Sequence, residues 1–198
     1  MSVPSAERPR PYEVCVCFLV RTAGGSHRAD TGAGHDRSGA ASDQREVLLG
    51  RKLRGLGAGL LVGPGGKVEP GESAVEAIAR EVAEECSVVL DPGRLRVAGR
   101  VRYQFPSRPS WDQNSTVFVA GGWTGDPQPS AELEPGWHAV DRVPYARMWD
   151  DARLWLPQVL AGGTVDAYFR FGSELSTVEA WASADAGGSM SWQPLPRR

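Results

Sequence analysis

The chain of 198 residues is poor in lysine: Lys52 and Lys67 stand against twenty arginines. It has little net charge, −2 at pH 7. That excludes binding to nucleic-acid polymers by bulk attraction to phosphates. Three cysteines, Cys15, Cys17 and Cys86, make no disulfide framework and no zinc pattern. His27, His35 and His138 add no ligand spacing. The longest apolar run, Val14 to Val20, has seven residues, far short of a bilayer span. Met1 to Pro11 carries no apolar signal core. A soluble, cytoplasmic protein with no membrane partner is expected. The scarcity of lysine fits codon bias.

Hydrophobic residues make up 41% of the chain, enough for the core of one domain. Residues 1–10 read as a flexible N-terminal arm, 11–182 as a single domain and 183–198 as a flexible polar tail. Tyr12 to Arg21 reads as a buried strand, with Cys15 and Cys17 two apart and so on one side. Glu46 to Arg51 is a second strand. Between them, residues 22–45 contain no Val, Ile, Leu or aromatic side chain, so they read as a mobile insertion in a hairpin. A glycine-rich loop over 54–71 leads to Ser73-Ala74-Val75-Glu76, a capping box. The helix it opens runs to about Cys86, with Val75, Ile78, Ala79 and Val82 as its apolar stripe. Alternation over Val97 to Phe105 predicts a strand, as do Ser115 to Trp123, Trp137 to Asp141, Val165 to Phe171 and Leu175 to Trp181. A second helix is centred on Trp149 to Leu160. The order is that of one mixed-sheet α/β domain.

Six glutamates lie between positions 69 and 85. On the predicted helix, Glu81, Glu84 and Glu85 are related by three and four residues, so their carboxylates project from one face. Like charges there repel by a few tenths of a kcal/mol per pair, roughly. A solvated acidic face is the ordinary reading of such a run. A hard divalent cation would offset the repulsion, because Mg²⁺ takes carboxylate oxygens together with substrate phosphates. The glycine-rich loop before the helix lets backbone approach a diphosphate closely.

The spacing is more specific than the charge. Gly66, five residues, Glu72, seven residues and then Arg80-Glu81-Val82-x-Glu84-Glu85-x-Ser87-Val88 resembles the Nudix box. Eight of its nine defined positions match. Ser87 replaces a glycine that would end the helix in a left-handed conformation, at a cost of ~1 kcal/mol. Arg51-Lys52-x-x-Gly55-x-Gly57-Ala58-Gly59, Gly65-Gly66-Lys67-Val68 and Pro144-Tyr145-x-x-Met148-Trp149-x-Asp151 extend the resemblance. So do Trp155, Pro157 and Tyr168-Phe169-x-Phe171. They look like the MutT-homologue branch of Nudix hydrolases, which hydrolyses oxidised purine nucleoside triphosphates such as 8-oxo-dGTP.

The resemblance implies a Nudix fold, a mixed sheet sandwiched between α-helices, and a Mg²⁺-dependent reaction, with Mn²⁺ as an alternative ion. Glu81, Glu84 and Glu85 with the Gly65 carbonyl would bind metal, and Glu132 is a further metal-side candidate with Glu134 as its rival. Arg80 would pair with Glu72 and hold the metal helix in place. Lys52, Pro64, Gly65, Gly66 and Lys67 would face the phosphates; Trp149, Asp150 and Asp151 would face the base. Water would attack a phosphorus of the nucleoside triphosphate and release a monophosphate and pyrophosphate. The departures concern the base. Val62 stands where this branch has a base-reading asparagine, Ala152 where it has a second acid, and Leu56 where a Phe often lines the pocket. Another Nudix substrate, such as a plain or alkylated nucleotide or a nucleotide sugar, is the alternative. A nucleotide-sensing module without catalysis is disfavoured because no box glutamate is lost.

Overall fold

A computed structural model describes residues 10–23, 44–184, 188–193 and 195. The expected N-terminal arm lies outside them except for Arg10, as does most of the insertion expected over 22–45. Strand β1 (Tyr12–Thr22) and β2 (Arg45–Lys52) form an antiparallel hairpin in which Thr22 faces Arg45. The Ala23 amide donates to the Gln44 carbonyl at 2.7 Å and closes the hairpin across the insertion.

The remaining elements are β3 (Leu61–Val62), α1 (Ala74–Cys86), β4 (Val89–Leu90), β5 (Leu95–Gln104), β6 (Gln113–Ala120), β7 (Trp123–Thr124), β8 (Leu133–Ala139), α2 (Ala152–Leu160), β9 (Val165–Phe171), β10 (Val178–Ala184) and β11 (Met190–Gln193). The main sheet runs β11-β10-β9-β5-β6-β1-β2-β3, with β8 paired to β2. Pairs β1–β6 and β5–β9 are parallel, and the other pairs of this sheet are antiparallel. The sheet is therefore mixed.

Successive strand residues point to opposite faces, and the core divides accordingly. Phe18, Val47, Leu49 and Val117 pack on one face with Trp155, Leu156, Val159 and Leu160 of α2. Cys15, Cys17, Leu19, Leu48 and Phe118 pack on the other with Ala77, Ile78, Val82 and Cys86 of α1. One helix covers each face, and the shared strands carry the positions of both.

Helix α1 begins at its capping box. Ser73 Oγ accepts from the Glu76 amide at 3.2 Å, and Glu76 accepts from the Ser73 amide at 2.8 Å. Its apolar face differs from the expected stripe. Ala77, Ile78, Val82, Glu85 and Cys86 are buried, whereas Val75 and Ala79 are exposed. The sheet selects the face about one residue along, and so draws Glu85 inward. In β5 the alternation breaks at a bulge between Val97 and Gly99, leaving Val97 exposed and Ala98 buried. The second helix starts at Ala152, because 3-10 turns at 140–142 and 145–147 occupy the chain before it. Strand β10 begins at Val178, three residues later than expected. The stretch read as a tail over 183–198 is corrected: Met190–Gln193 pairs with β10 as an edge strand. Ser191 and Gln193 alternate there with the exposed Met190 and Trp192, on an edge strand with one side of its ladder unpaired.

Candidate active site

The glycine-rich loop packs against β1. The Cys17 amide donates to the Pro64 carbonyl at 2.9 Å, and the Cys15 amide to the Gly66 carbonyl at 2.8 Å. The approach is too close for a side chain: a Cβ at Gly65 would lie 2.2 Å from the Cys15 carbonyl oxygen. At Gly66 a Cβ would lie 2.4 Å from the Glu81 carboxylate. Glycine here lets backbone and helix acids share one space.

The loop and α1 meet at Arg80. Its Nε and Nη2 donate to the two oxygens of Glu72, each at 3.0 Å. Nη1 reaches Glu81 at 2.9 Å and Glu84 at 3.3 Å, and Nη2 reaches the Lys67 carbonyl at 3.1 Å. The fork geometry of guanidinium suits this paired recognition. Hydrogen bonds from Arg80 and the Glu69 amide hold the Glu72 carboxyl below its ordinary value. Arg80 thus ties the loop, through Glu72 and the Lys67 carbonyl, to two of the three box glutamates on the helix.

The third, Glu85, is 4% exposed. It accepts from the Gly65 amide at 2.9 Å, and the Lys52 ammonium stands 3.6 Å away. Burial raises its pKa, opposed by the Gly65 amide and by Lys52. Lys67 lines the same region, but its ammonium sits over the Tyr12 ring at 4.0 Å. Cys15 is a packing residue; burial pushes its thiol up to about 11.

Beside these groups lies a cavity of about 300 Å³. Lys52, Gly65, Gly66 and Lys67 line it, as do Trp149 and Asp151, with Leu56, Val62, Met148 and Phe171. Asp150 and Pro64 are not among the lining residues. Asp150 is taken up by structure: one oxygen accepts from the Val178 amide at 2.9 Å and the other from Arg153 at 3.0 Å. Of the acidic pair, only Asp151 belongs to the cavity. Glu132 does not line it either; its ion-pair partner is Arg54 at 3.9 Å, while its rival Glu134 pairs with Arg51 at 2.7 Å.

Sequence reasoning missed Tyr103, Gln113 and Ser115, polar residues that also line the cavity. Tyr103 was legible only as one member of the β5 alternation. Its hydroxyl donates to Asp151 Oδ2 at 3.0 Å, and the Trp155 indole donates to the same oxygen at 2.7 Å. Asp151 and Trp155 are four residues apart on either side of the start of α2, a spacing that brings side chains together.

The donor set suits a hard divalent cation. Glu81, Glu84 and Glu85 are carboxylates of one helix, and Gly66 leaves Glu81 the room that a side chain would fill. Among the described residues, no three acidic side chains are gathered at coordination spacing. Arg80 and Lys52 hold the carboxylates instead. Positive charge is what this cluster needs, and the protein's own cations supply it here.

Residues 39–159 match the family model described as NUDIX domain. A Danio rerio protein named oxidized purine nucleoside triphosphate hydrolase is 37% identical over 125 residues, 63% of this chain and 78% of that protein. The Mus musculus protein of the same name is 35% identical over 127 residues, covering 64% and 80%. The crystal structure of a MutT protein from Bacillus halodurans aligns with a TM-score of 0.65 and 21% identity, over 87% of this chain and 97% of that one.

Proposed function

Since the chain belongs to the NUDIX hydrolase family, we propose that it is a Mg²⁺-dependent nucleoside triphosphate pyrophosphohydrolase acting on purine nucleotides. Its products are the nucleoside monophosphate and pyrophosphate, and oxidised purines such as 8-oxo-dGTP lead the substrate list. The observation that carries this reading is the junction of two halves. Lys52 and Gly65 line the cavity together with Trp149 and Asp151, and both also contact Glu85 of α1, so the helix acids adjoin the cavity through these two residues without lining it. The two curated relatives named above support the purine triphosphate class.

A divalent ion held by Glu81, Glu84, Glu85 and the Gly65 carbonyl would supply charge stabilisation for phosphorus–oxygen cleavage and activate the attacking water. The rest is done by residues of this chain. Arg80 and Glu72 fix the helix against the loop, so that the carboxylates keep their spacing. The Gly65 amide orients Glu85. Lys52 is placed to receive phosphate charge. Glu84, the exposed carboxylate of the three at 61%, is the residue that water reaches directly, and it takes the proton of the attacking water. Trp149 offers a ring face to the base, and Asp151 an acceptor.

The apolar Val62 favours a qualification of the substrate list. It lines the cavity and cannot hydrogen-bond a base edge, so discrimination between 8-oxo-guanine and guanine is weak. A hydrolysis panel with Mg²⁺ over 8-oxo-dGTP, dGTP, methylated nucleotides and nucleotide sugars tests both points. Pyrophosphate release from purine triphosphates, lost in chelator and restored by Mg²⁺, is expected. Cleavage of nucleotide sugars alone would overturn the assignment, and a strong preference for 8-oxo-dGTP in competition with dGTP would show that residues other than position 62 read the base.

A further inference from the structure

Asp151 is 2% exposed, and its Oδ1 is a buried side-chain oxygen with no hydrogen-bond partner among the described residues. Its other oxygen is doubly held, by Tyr103 at 3.0 Å and Trp155 at 2.7 Å. All three side chains line the cavity. The Tyr103 ring is itself fixed by stacking on Phe169, with centroids 6.2 Å apart. An unpaired buried acceptor weakens the folded state, so its retention in a cavity points to a ligand that completes it.

We propose that Tyr103 is a positioning residue for nucleobase recognition: with the Trp155 indole it holds Asp151 Oδ2 and leaves Oδ1 as the acceptor for one N–H of the base edge. The proposal rests on the reading that this cavity receives the base of a nucleotide. It defines the ligand chemically. An ionised carboxylate only accepts, so the site takes a base that presents an N–H there and rejects one whose nitrogen is alkylated.

The titratable groups facing Asp151 are Tyr103 from β5 and the preceding Asp150; Trp155 from α2 donates without titrating, and Lys52 and Lys67 line the same cavity. Burial pushes the Asp151 carboxyl up to about 6. Trp155, Tyr103 and its own amide pull it down, and Asp150 adds to the rise. Removing the Tyr103 hydroxyl takes a donor from the ionised form, so the carboxyl titrates higher, by about one pH unit for a charge-assisted hydrogen bond.

The test measures kcat and KM from pH 5 to 9, with Mg²⁺ and dGTP, for the wild type, Tyr103→Phe, Asp151→Asn and the double variant, with thermal unfolding as the control for folding. For Tyr103→Phe, the acid limb of kcat/KM moves up by about one unit. KM rises about tenfold below pH 6 and about twofold or less above pH 8, and kcat stays within about twofold. In the Asp151→Asn background the acid limb due to Asp151 is absent, and Tyr103→Phe adds no more than about twofold. An unmoved limb, or an equal KM change in both backgrounds, would show a structural role and overturn the proposal. A wild type that hydrolyses neither dGTP nor 8-oxo-dGTP would instead overturn the function proposed above, and this inference with it.

Discussion

Ser87 is the one position where the box departs from its pattern, and its backbone is left-handed, with φ 57° and ψ 34°. Replacing it with glycine should stabilise the fold. A residue with a Cβ in this region is disfavoured by roughly 1–2 kcal/mol. Glycine gives back about 0.4–1 kcal/mol of that through its freer unfolded chain. The net expectation for Ser87→Gly is a gain of about 0.5–1 kcal/mol. The cap hydrogen bond from the Ser87 amide to the Ala83 carbonyl at 2.9 Å is a backbone contact and survives. The side chain is exposed, so no packing is lost. In a domain of this size that gain raises Tm by about 1–4 °C, and the urea midpoint should rise with an unchanged slope. Ser87→Ala serves as the control, because it keeps the Cβ and should not gain. Turnover should be unaltered in both, since Ser87 touches none of the cavity. A glycine variant no more stable than the wild type would refute the reasoning that the backbone at this turn is strained by its side chain.

Glu84→Gln should lower turnover at least about a hundredfold with the fold retained, as read by steady-state kinetics beside circular dichroism; near-normal turnover would remove Glu84 from the mechanism. Asp151→Asn should couple stability to pH. The wild-type carboxyl titrates at about 6 when folded, above its ordinary 3.8, so the folded state binds the proton more tightly. The stability this lends is complete below about pH 4 and is lost as pH rises through 6. The wild type should therefore lose on the order of 2–3 kcal/mol relative to Asp151→Asn between pH 4 and pH 7. Urea melts at the two pH values measure it, and a difference independent of pH would show that Asp151 is not the buried titrating group.

What was legible in the sequence was what local chemistry decides. The capping box at Ser73 and Glu76, the shared side of Cys15 and Cys17, and the hairpin of β1 and β2 depend on neighbours in the chain, and they are present. The face of α1 was misplaced because Val75 and Ala79 match helical periodicity as well as Ala77 and Cys86 do. Only contact with β1 and β8 decides between them. A bulge has no side-chain signature, so Val97 read as an inward residue. Asp150 and Asp151 look alike as letters. One is held by the Val178 amide and Arg153, and the other reaches the cavity, because the turn before Ala152 sends adjacent side chains in different directions. Tyr103 lies 48 residues from Asp151, and no spacing rule connects them. The charge on α1 was legible, but its distribution between Arg80 and Lys52 required the folded loop.

The closure of the β1–β2 hairpin has an evolutionary consequence. The Ala23–Gln44 hydrogen bond and the Thr22–Arg45 register tie the two strands together before the chain departs between them. The hairpin register is therefore closed by Thr22, Ala23, Gln44 and Arg45 themselves. Insertions and deletions there change loop closure by only about 0.6 kcal/mol per doubling of length. A change of chain length between Ala23 and Gln44 is therefore expected to leave the β1–β2 register in place, and with it the glycine-rich loop that hydrogen-bonds to β1.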